Sequence, residues 1–134
     1  MKENLHSSYF IEKYPTLFAH AQKERAYFCG AECGPGWRDL IDRCFKLIIQ
    51  HVEVNNLYAK SEEEKLDVKV GQLKEKMGGL RIYIDGADDY IQGVISGVEE
   101  QSYAICESCG TNQNVNQNKK GWIKTLCVEC RTQS

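Results

Sequence analysis

The chain has 134 residues, a length that suits one domain with its own buried core, and a formal net charge of −2 at pH 7. This balance lacks the basic excess typical of nucleic-acid-binding domains, so any such binding has to be local. No window approaches the ~18 consecutive apolar residues of a membrane-spanning helix, and the N-terminal residues lack the apolar segment of a signal peptide. We therefore expect a soluble, cytoplasmic protein.

The first half of the chain is predicted to be mainly helical. Residues 7–18 join two serines, as candidate caps, to an aromatic and aliphatic cluster, and Pro15 is expected to end or kink this first helix. Residues 19–36 then predict an irregular segment with turns at its glycines. A second helix is predicted to end at Asn55 and Asn56, because apolar residues recur every three or four positions before them. This stripe consists of Trp37, Leu40, Ile41, Cys44, Ile48 and Val52.

A β-hairpin is predicted in the middle of the chain, after a short charged segment in which Ser61 and Glu64 fit a capping box. Gly78-Gly79 is its expected two-residue turn, because type I′ turns need positive φ angles. Pairing outward places Met77 opposite Leu80 and gathers four residues on the other face: Lys74, Lys76, Arg81 and Tyr83. A competing interpretation makes residues 72–77 one helical turn, which would scatter this basic face.

A last helix is predicted between the turn at Asp85-Gly86 and Cys106, into which it runs directly. Acidic residues occupy its first turn, where the helix dipole favours them. We expect an α+β fold in which small helices and the hairpin pack together over residues 1–105. Residues 106–134 are expected to form a zinc-ribbon-like module packed on this core, so that the chain makes one compact unit.

Four cysteines carry the strongest chemical signal. Cys106-x-x-Cys109 and Cys127-x-x-Cys130 are separated by seventeen residues, a spacing typical of a four-thiolate zinc site. Two free or redox-active pairs are the alternative. Four protein ligands leave no open position for water or substrate, so the predicted Zn²⁺ is structural rather than catalytic. The motifs of zinc deaminases are missing, since neither pair follows a proline and no H-x-E occurs.

The Gly-Pro-Gly turn before the second helix predicts an anion site. Gly34, Pro35 and Gly36 expose backbone N–H groups where the helix dipole favours negative charge. Together with the basic hairpin face, this turn predicts a pocket for a nucleotide or a phosphate-bearing signal. The expected contacts are Trp37, Lys74, Lys76, Arg81 and Tyr83. A simple helix-entry turn and a solvated strand face are the structural alternative.

Three further patterns leave other functions open. The corner formed by Lys119, Lys120, Trp122 and Lys124 could bind phosphate and stack on a base, as single-strand binders do. Its alternative is a loop with solvated lysines and with Trp122 packed on the preceding helix. Cys29 and Cys33 could join His20 in a second metal site, and an enzyme would need a nucleophile such as Cys33 or a carboxylate such as Glu32. Cys44 is expected in the core.

The blocks YPTLF, ECGPGWRDLI, QLKEKMGGLRIYI, AICESCG and GWIKTLCVEC together resemble a family of small bacteriophage and prophage proteins with a C-terminal four-cysteine module. The resemblance implies a phage accessory role and supplies no established enzymatic activity. We expect a non-enzymatic, zinc-stabilised protein that sequesters a host factor or a nucleotide-like anionic signal, in the manner of an anti-defence protein. A nucleic-acid-binding ribbon is the alternative, and a nucleotide-processing enzyme is the third hypothesis.

Overall fold

The structure is a computed structural model that describes residues 4–19 and 30–133. Its described residues form an α+β fold with a cluster of four cysteines near the C-terminus, as predicted. His20 and Cys29 lie outside the described residues, and so does most of the segment predicted to be irregular. Among the described residues, no helix combines the length and the apolar character needed to cross a bilayer.

Helices and strands are interspersed along the described residues. The helices are α1 (Ser7–Lys13), α2 (Arg38–Tyr58), α3 (Asp89–Ser102) and α4 (Val128–Gln133). The strands are β1 (Ala31–Glu32), β2 (Lys69–Lys76), β3 (Gly79–Asp85), β4 (Val115–Gln117) and β5 (Thr125–Cys127). Short 3-10 turns occupy Pro15–Phe18, Pro35–Trp37 and Glu62–Glu64. Pro15 therefore separates the first helix from the turn that follows, as predicted.

Two small sheets result from this order. β1, β2 and β3 form the first sheet, in which β1 runs parallel and β3 antiparallel to the central β2. β4 and β5 pair antiparallel in the second sheet, the ribbon of the C-terminal segment. One hydrophobic core joins the first sheet to α1, α2 and α3, and its largest fully buried side chains are Trp37, Phe10, Phe18 and Phe45. The rings of Phe10 and Phe45 meet edge to face at 5.4 Å.

The hairpin forms with a turn one residue earlier than predicted. Lys76 pairs with Gly79 and Lys74 pairs with Arg81, so the turn residues are Met77 and Gly78. Both have positive φ, 53° and 85°, as a type I′ turn requires. The error moves each cross-strand partner by two positions. Because side chains alternate with a period of two, the predicted faces survive, although the predicted pairs do not.

Helix α3 covers the outer edge of β3. The N–H of Leu80 donates to Oγ of Ser102 at 2.9 Å, and the N–H of Ile82 donates to Oε2 of Glu99 at 2.9 Å. These backbone groups point away from β2 and would otherwise remain open for pairing with another strand. The end of α3 is thereby fixed beside the hairpin.

Helix α2 extends beyond its predicted end. It reaches Tyr58, because Asn55 and Asn56 use their side chains on the next segment instead of capping the helix. The Asn55 amide donates to the Glu64 carbonyl, while Asn56 donates to the Leu66 carbonyl and accepts from the Leu66 N–H. The asparagines therefore attach the loop that leads into β2.

Two smaller predictions about helix ends also need correction. The capping box fails because Ser61 makes no side-chain cap and Glu64 accepts the N–H of Lys60 instead. Helix α3 ends at Ser102, and a turn separates it from Cys106. Its N-terminus does have an acidic cap, because Asp88 accepts the N–H of Ile91 at 3.0 Å.

Candidate metal centre

The two Cys-x-x-Cys pairs meet beside the ribbon. The Sγ atoms of Cys106, Cys109, Cys127 and Cys130 all lie within 4.8 Å of one another. The first pair follows α3, and the second begins at the last residue of β5 and continues into α4. Because thiols from separate parts of the chain converge this closely, the cluster can hold a metal ion.

Each pair has backbone N–H groups directed at sulfur. The amide nitrogen of Cys109 lies 3.5 Å from Sγ of Cys106, and that of Cys130 lies 3.4 Å from Sγ of Cys127. Gly110 then turns the chain with a φ of 87° and donates its N–H to the Cys106 carbonyl. Donors directed at sulfur favour the thiolate form, which is the form that binds metal.

The thiols of Cys106 and Cys130 differ in acidity. Burial opposes ionisation of Cys106, but backbone N–H groups of Cys109, Cys127 and Ser108 outweigh it and lower the pKa of this thiol to about 6. Burial and hydrogen bonds to neighbouring thiols raise the pKa of Cys130 to about 12. Cys106 is thus the thiol that ionises more readily, and a cation bound nearby would favour the thiolate form of its neighbours as well.

The Gly-Pro-Gly turn docks on the first cysteine pair. The N–H of Gly34 donates to Oε2 of Glu107 at 2.8 Å, and the N–H of Gly36 donates to the Glu107 carbonyl at 2.7 Å. A Cβ at Gly36 would lie 2.1 Å from the Cys106 carbonyl oxygen, so glycine is required for this approach. The predicted anion site is therefore filled by the chain's own carboxylate, and its proposed role in ligand binding is wrong.

Trp37 belongs to the same contact and not to a ligand site. Its side chain is fully buried, and its Nε1 donates to the Ile105 carbonyl at 2.9 Å. The prediction that Trp37 contacts a ligand is wrong, because the indole closes the junction between α2 and the loop before Cys106.

The remaining predicted contacts share one face of the first sheet. Lys74 and Arg81 are direct cross-strand partners, while Lys76 and Tyr83 belong to the same alternating rows. Arg81 donates from Nη2 to the Tyr103 hydroxyl at 3.1 Å and from Nη1 to the Leu80 carbonyl at 3.0 Å. The hydrogen bond to Tyr103 raises the pKa of Arg81, which keeps the guanidinium charged. Glu32 is the parallel partner of Lys74 and adds one negative charge beside this row.

The ribbon corner is only partly as predicted. Lys119, Lys120 and Trp122 are exposed, with 78% of the Trp122 surface accessible, so the alternative in which Trp122 packs on a helix is wrong. Lys124 does not join them, because its Nζ lies 3.8 Å from both Glu75 and Glu107. Lys124 instead helps to attach the ribbon to the core.

Cys33 does not have the environment of a nucleophile. It is buried, and burial together with the nearby Glu107 and Glu75 raises the pKa of its thiol to about 12. Reactive cysteines need a lowered pKa and access to solvent. Cys44 lies in the core as predicted, and Glu32 is exposed at the end of β1.

Two contacts were missed at the sequence level. Glu107 was not connected with the Gly-Pro-Gly turn, because seventy-three residues separate it from Gly34 and no local pattern links them. The second contact joins α2 to the start of α3, where Nε2 of His51 lies 2.7 Å from Oδ2 of Asp88 and the His51 ring stacks on Tyr90 at 4.1 Å. The only available signal was the acidic residue expected at the start of α3.

Comparison of the chain with protein-family models, curated proteins and solved structures finds no match. The resemblance to phage proteins therefore stays a prediction, and the function has to be argued from the residues.

Proposed function

We propose that the protein is a non-enzymatic binding protein, stabilised by a structural zinc ion, that sequesters a nucleotide-like anionic signal or an anionic host factor. The cross-strand pair of Lys74 and Arg81 carries this proposal. It offers two cations on one rigid sheet face, and Tyr83 on the same face is 48% exposed. Phosphate needs such cationic donors, and a base needs an aromatic surface.

The choice of zinc is supported by the donor set and its spacing. Zinc–sulfur bonds of about 2.3 Å in a tetrahedron give sulfur–sulfur distances of about 3.8 Å. Sγ of Cys109 and Sγ of Cys127 are 3.8 Å apart. A tetrahedron of four thiolates has no free position, so the ion would fasten the ribbon to the core without activating water.

The sheet face holds its cations in fixed positions. Lys74, Lys76 and Arg81 lie there with the carboxylates of Glu32 and Asp85. Glu99 also interacts with Arg81, and the Tyr103 hydroxyl holds the guanidinium in one orientation. A guanidinium that is already positioned loses less side-chain entropy when it binds an oxyanion. Lys76 is exposed at the turn end of the same face, where a second phosphate could reach it.

The biological setting comes from the resemblance alone. A phage accessory protein that removes a host signal binds the signal stoichiometrically. It therefore needs affinity for the signal and no catalytic turnover. This proposal accordingly assigns no residue a catalytic role.

Binding of mononucleotides and cyclic dinucleotides tests the proposal by isothermal titration calorimetry, with the matching nucleosides as uncharged ligands. We expect at least one nucleotide to bind and its nucleoside to bind much more weakly. Replacing Lys74→Ala or Arg81→Ala should weaken binding about tenfold or more, because each change removes a charge-assisted hydrogen bond.

Lys65→Ala is the matched control, because Lys65 is an exposed lysine outside the sheet that pairs with Glu62. Arg81→Lys keeps the positive charge but removes the planar guanidinium and its paired N–H donors. This variant should retain part of the affinity. Equal binding by the wild type, Lys74→Ala and Arg81→Ala would rule out this face as the site.

A nucleic-acid-binding ribbon is the second candidate, favoured by the exposure of Trp122 beside Lys119 and Lys120. Single-strand binders combine such cations with an aromatic side chain on which bases stack. Fluorescence anisotropy with a single-stranded oligonucleotide should then show affinity that falls steeply with salt and is lost in Trp122→Ala. Absence of binding at low salt would remove this candidate.

A further inference from the structure

Helix α2 has an apolar stripe on the side that faces away from the core. Its exposed members are Leu47, Val54, Leu57 and Tyr58, with accessible fractions of 43%, 58%, 73% and 74%. They are spaced by seven, three and one residues, so they follow one side of the helix. Arg43 and Gln50 complete the same row at heptad spacing. Large apolar side chains that share a row in this way mark an interaction surface more often than scattered ones do.

Two cavities accompany this stripe along one flank of α2. The first, of about 490 Å³, lies between the first half of the helix and Tyr14, and Leu47 and Ile49 line it. The second, of 540 Å³, lies between the second half of the helix and the segments at Leu17 and Leu66. Ile49 lines both cavities, so they form one interrupted groove beside the exposed apolar row.

We propose that this stripe binds a second copy of the same chain, with the two α2 helices antiparallel across a two-fold axis near Gln50. The charges beside the stripe select this occupant. Lys46 and Glu53 are both exposed, and they lie at nearly equal distances on opposite sides of Gln50. An antiparallel copy therefore brings each Lys46 to the other copy's Glu53, whereas in a parallel copy Lys46 and Glu53 would face His51 and Tyr58 and this ion pair would be lost.

The rest of the row agrees with the same arrangement. Leu47 of one copy lies near Val54 of the other, and the two Gln50 amides meet close to the axis, where they can hydrogen-bond to each other. Arg43 reaches the region of Leu57 and Tyr58, where its guanidinium can stack on the tyrosine ring. The ion pair of Lys46 with Asp42 in its own chain, at 3.6 Å, leaves the lysine side chain 60% exposed and able to serve both carboxylates.

Sedimentation equilibrium over a wide range of protein concentration tests this proposal with charge-reversal variants. We expect the wild type to form a dimer. Lys46→Glu alone and Glu53→Lys alone should each raise the dissociation constant about tenfold, because each creates two repulsive contacts across the axis. The double variant Lys46→Glu/Glu53→Lys should return to near the wild-type value, since it reverses both partners.

Val54→Glu should abolish the dimer, and Glu63→Lys, a charge reversal outside the stripe, should leave it unchanged. Circular dichroism melting of each variant checks that the monomer is folded, because Lys46→Glu also loses its pairing with Asp42. A wild type that stays monomeric at all concentrations overturns the proposal and leaves the stripe to a different partner. A dimer that the double variant fails to restore overturns the antiparallel arrangement. Neither result bears on the sheet face, so this inference and the proposed function fail independently.

Discussion

At the scale of single residues, Glu107 is one of the residues that join the cysteine cluster to the helical core. It lies between two predicted metal ligands, yet its carboxylate accepts a backbone N–H from the turn before α2 and also lies near Lys124. A buried carboxylate with such partners is stabilising only as long as they remain. The residue therefore links the turn before α2 to the C-terminal segment.

Replacing Glu107→Ala should lower the free energy of unfolding by about 1–3 kcal/mol, because the buried N–H of Gly34 loses its acceptor. Urea denaturation followed by circular dichroism measures this change. Glu129→Ala removes an exposed glutamate from the same segment and should have little effect. Equal stability of the two variants would show that the Glu107 contact is not important for the fold.

A second prediction concerns Asp88 and the dependence of stability on pH. Partial burial opposes its ionisation, but hydrogen bonds from His51 and from the Ile91 N–H outweigh this effect and hold the pKa of the carboxyl below its usual value. A carboxyl whose pKa is lowered by folding stabilises the folded state above its unfolded pKa, near 3.9, and loses this contribution as pH falls through the folded pKa.

Asp88→Ala should therefore destabilise the protein by about 1 kcal/mol at neutral pH, and the difference from wild type should shrink below about pH 4. Thermal melts across a pH series measure it. Asp88→Asn keeps a good helix cap and should lose only the negative charge of the carboxylate beside His51. A difference that is constant with pH would contradict the role of the ionised carboxylate.

At the scale of elements, the hairpin shows how much a local pattern can predict. The strands, the turn type and the composition of both faces were predictable, because alternation and adjacent glycines specify them. The turn position was not, because sequence preference favours glycine at both positions of the turn and Met77 takes one of them instead. Gly78 is held against Ile123 and Thr125 of the ribbon, a tertiary contact that the sequence does not reveal.

The turn supplies a stability prediction. Met77 is 66% exposed and has a φ of 53°, a conformation that asparagine and glycine adopt at less cost. Met77→Asn should raise the free energy of unfolding by about 0.5–1 kcal/mol. Gly78→Ala should lower it, because its Cβ would lie 3.0 Å from Ile123 and its φ is 85°. Chemical denaturation of both variants checks these opposite signs, and a destabilised Met77→Asn would contradict the turn assignment.

At the scale of the whole molecule, the cysteine cluster and the core support each other through contacts between distant parts of the sequence. The convergence of the four cysteines was predictable, because two Cys-x-x-Cys pairs at this spacing are typical of one metal site. The burial of Trp37 was predictable from its place on the apolar stripe, but its assignment to a ligand site was an error. That error arose because an aromatic residue beside a Gly-Pro-Gly turn fits a docking contact and a binding pocket equally well at the sequence level.

The sheet face could be predicted from the sequence only in part. Its cations could be placed on one face from periodicity, but the bond from Arg81 to Tyr103 depends on where α3 ends. Likewise, the ion pairs of Lys124 with Glu75 and Glu107 depend on how the ribbon meets the hairpin. These contacts decide which cations are committed to the fold and which are left to bind an anion.

The central claim is that the protein is stabilised by a zinc ion and binds an anionic ligand on the sheet face. Native and denaturing mass spectra of protein purified from bacterial cells challenged with phage test it most directly. We predict a native mass that includes one zinc ion and a small anionic adduct, with the adduct lost in the variant Lys74→Ala/Arg81→Ala. A zinc-loaded wild type without any adduct, or an adduct that this variant retains, would contradict the claim.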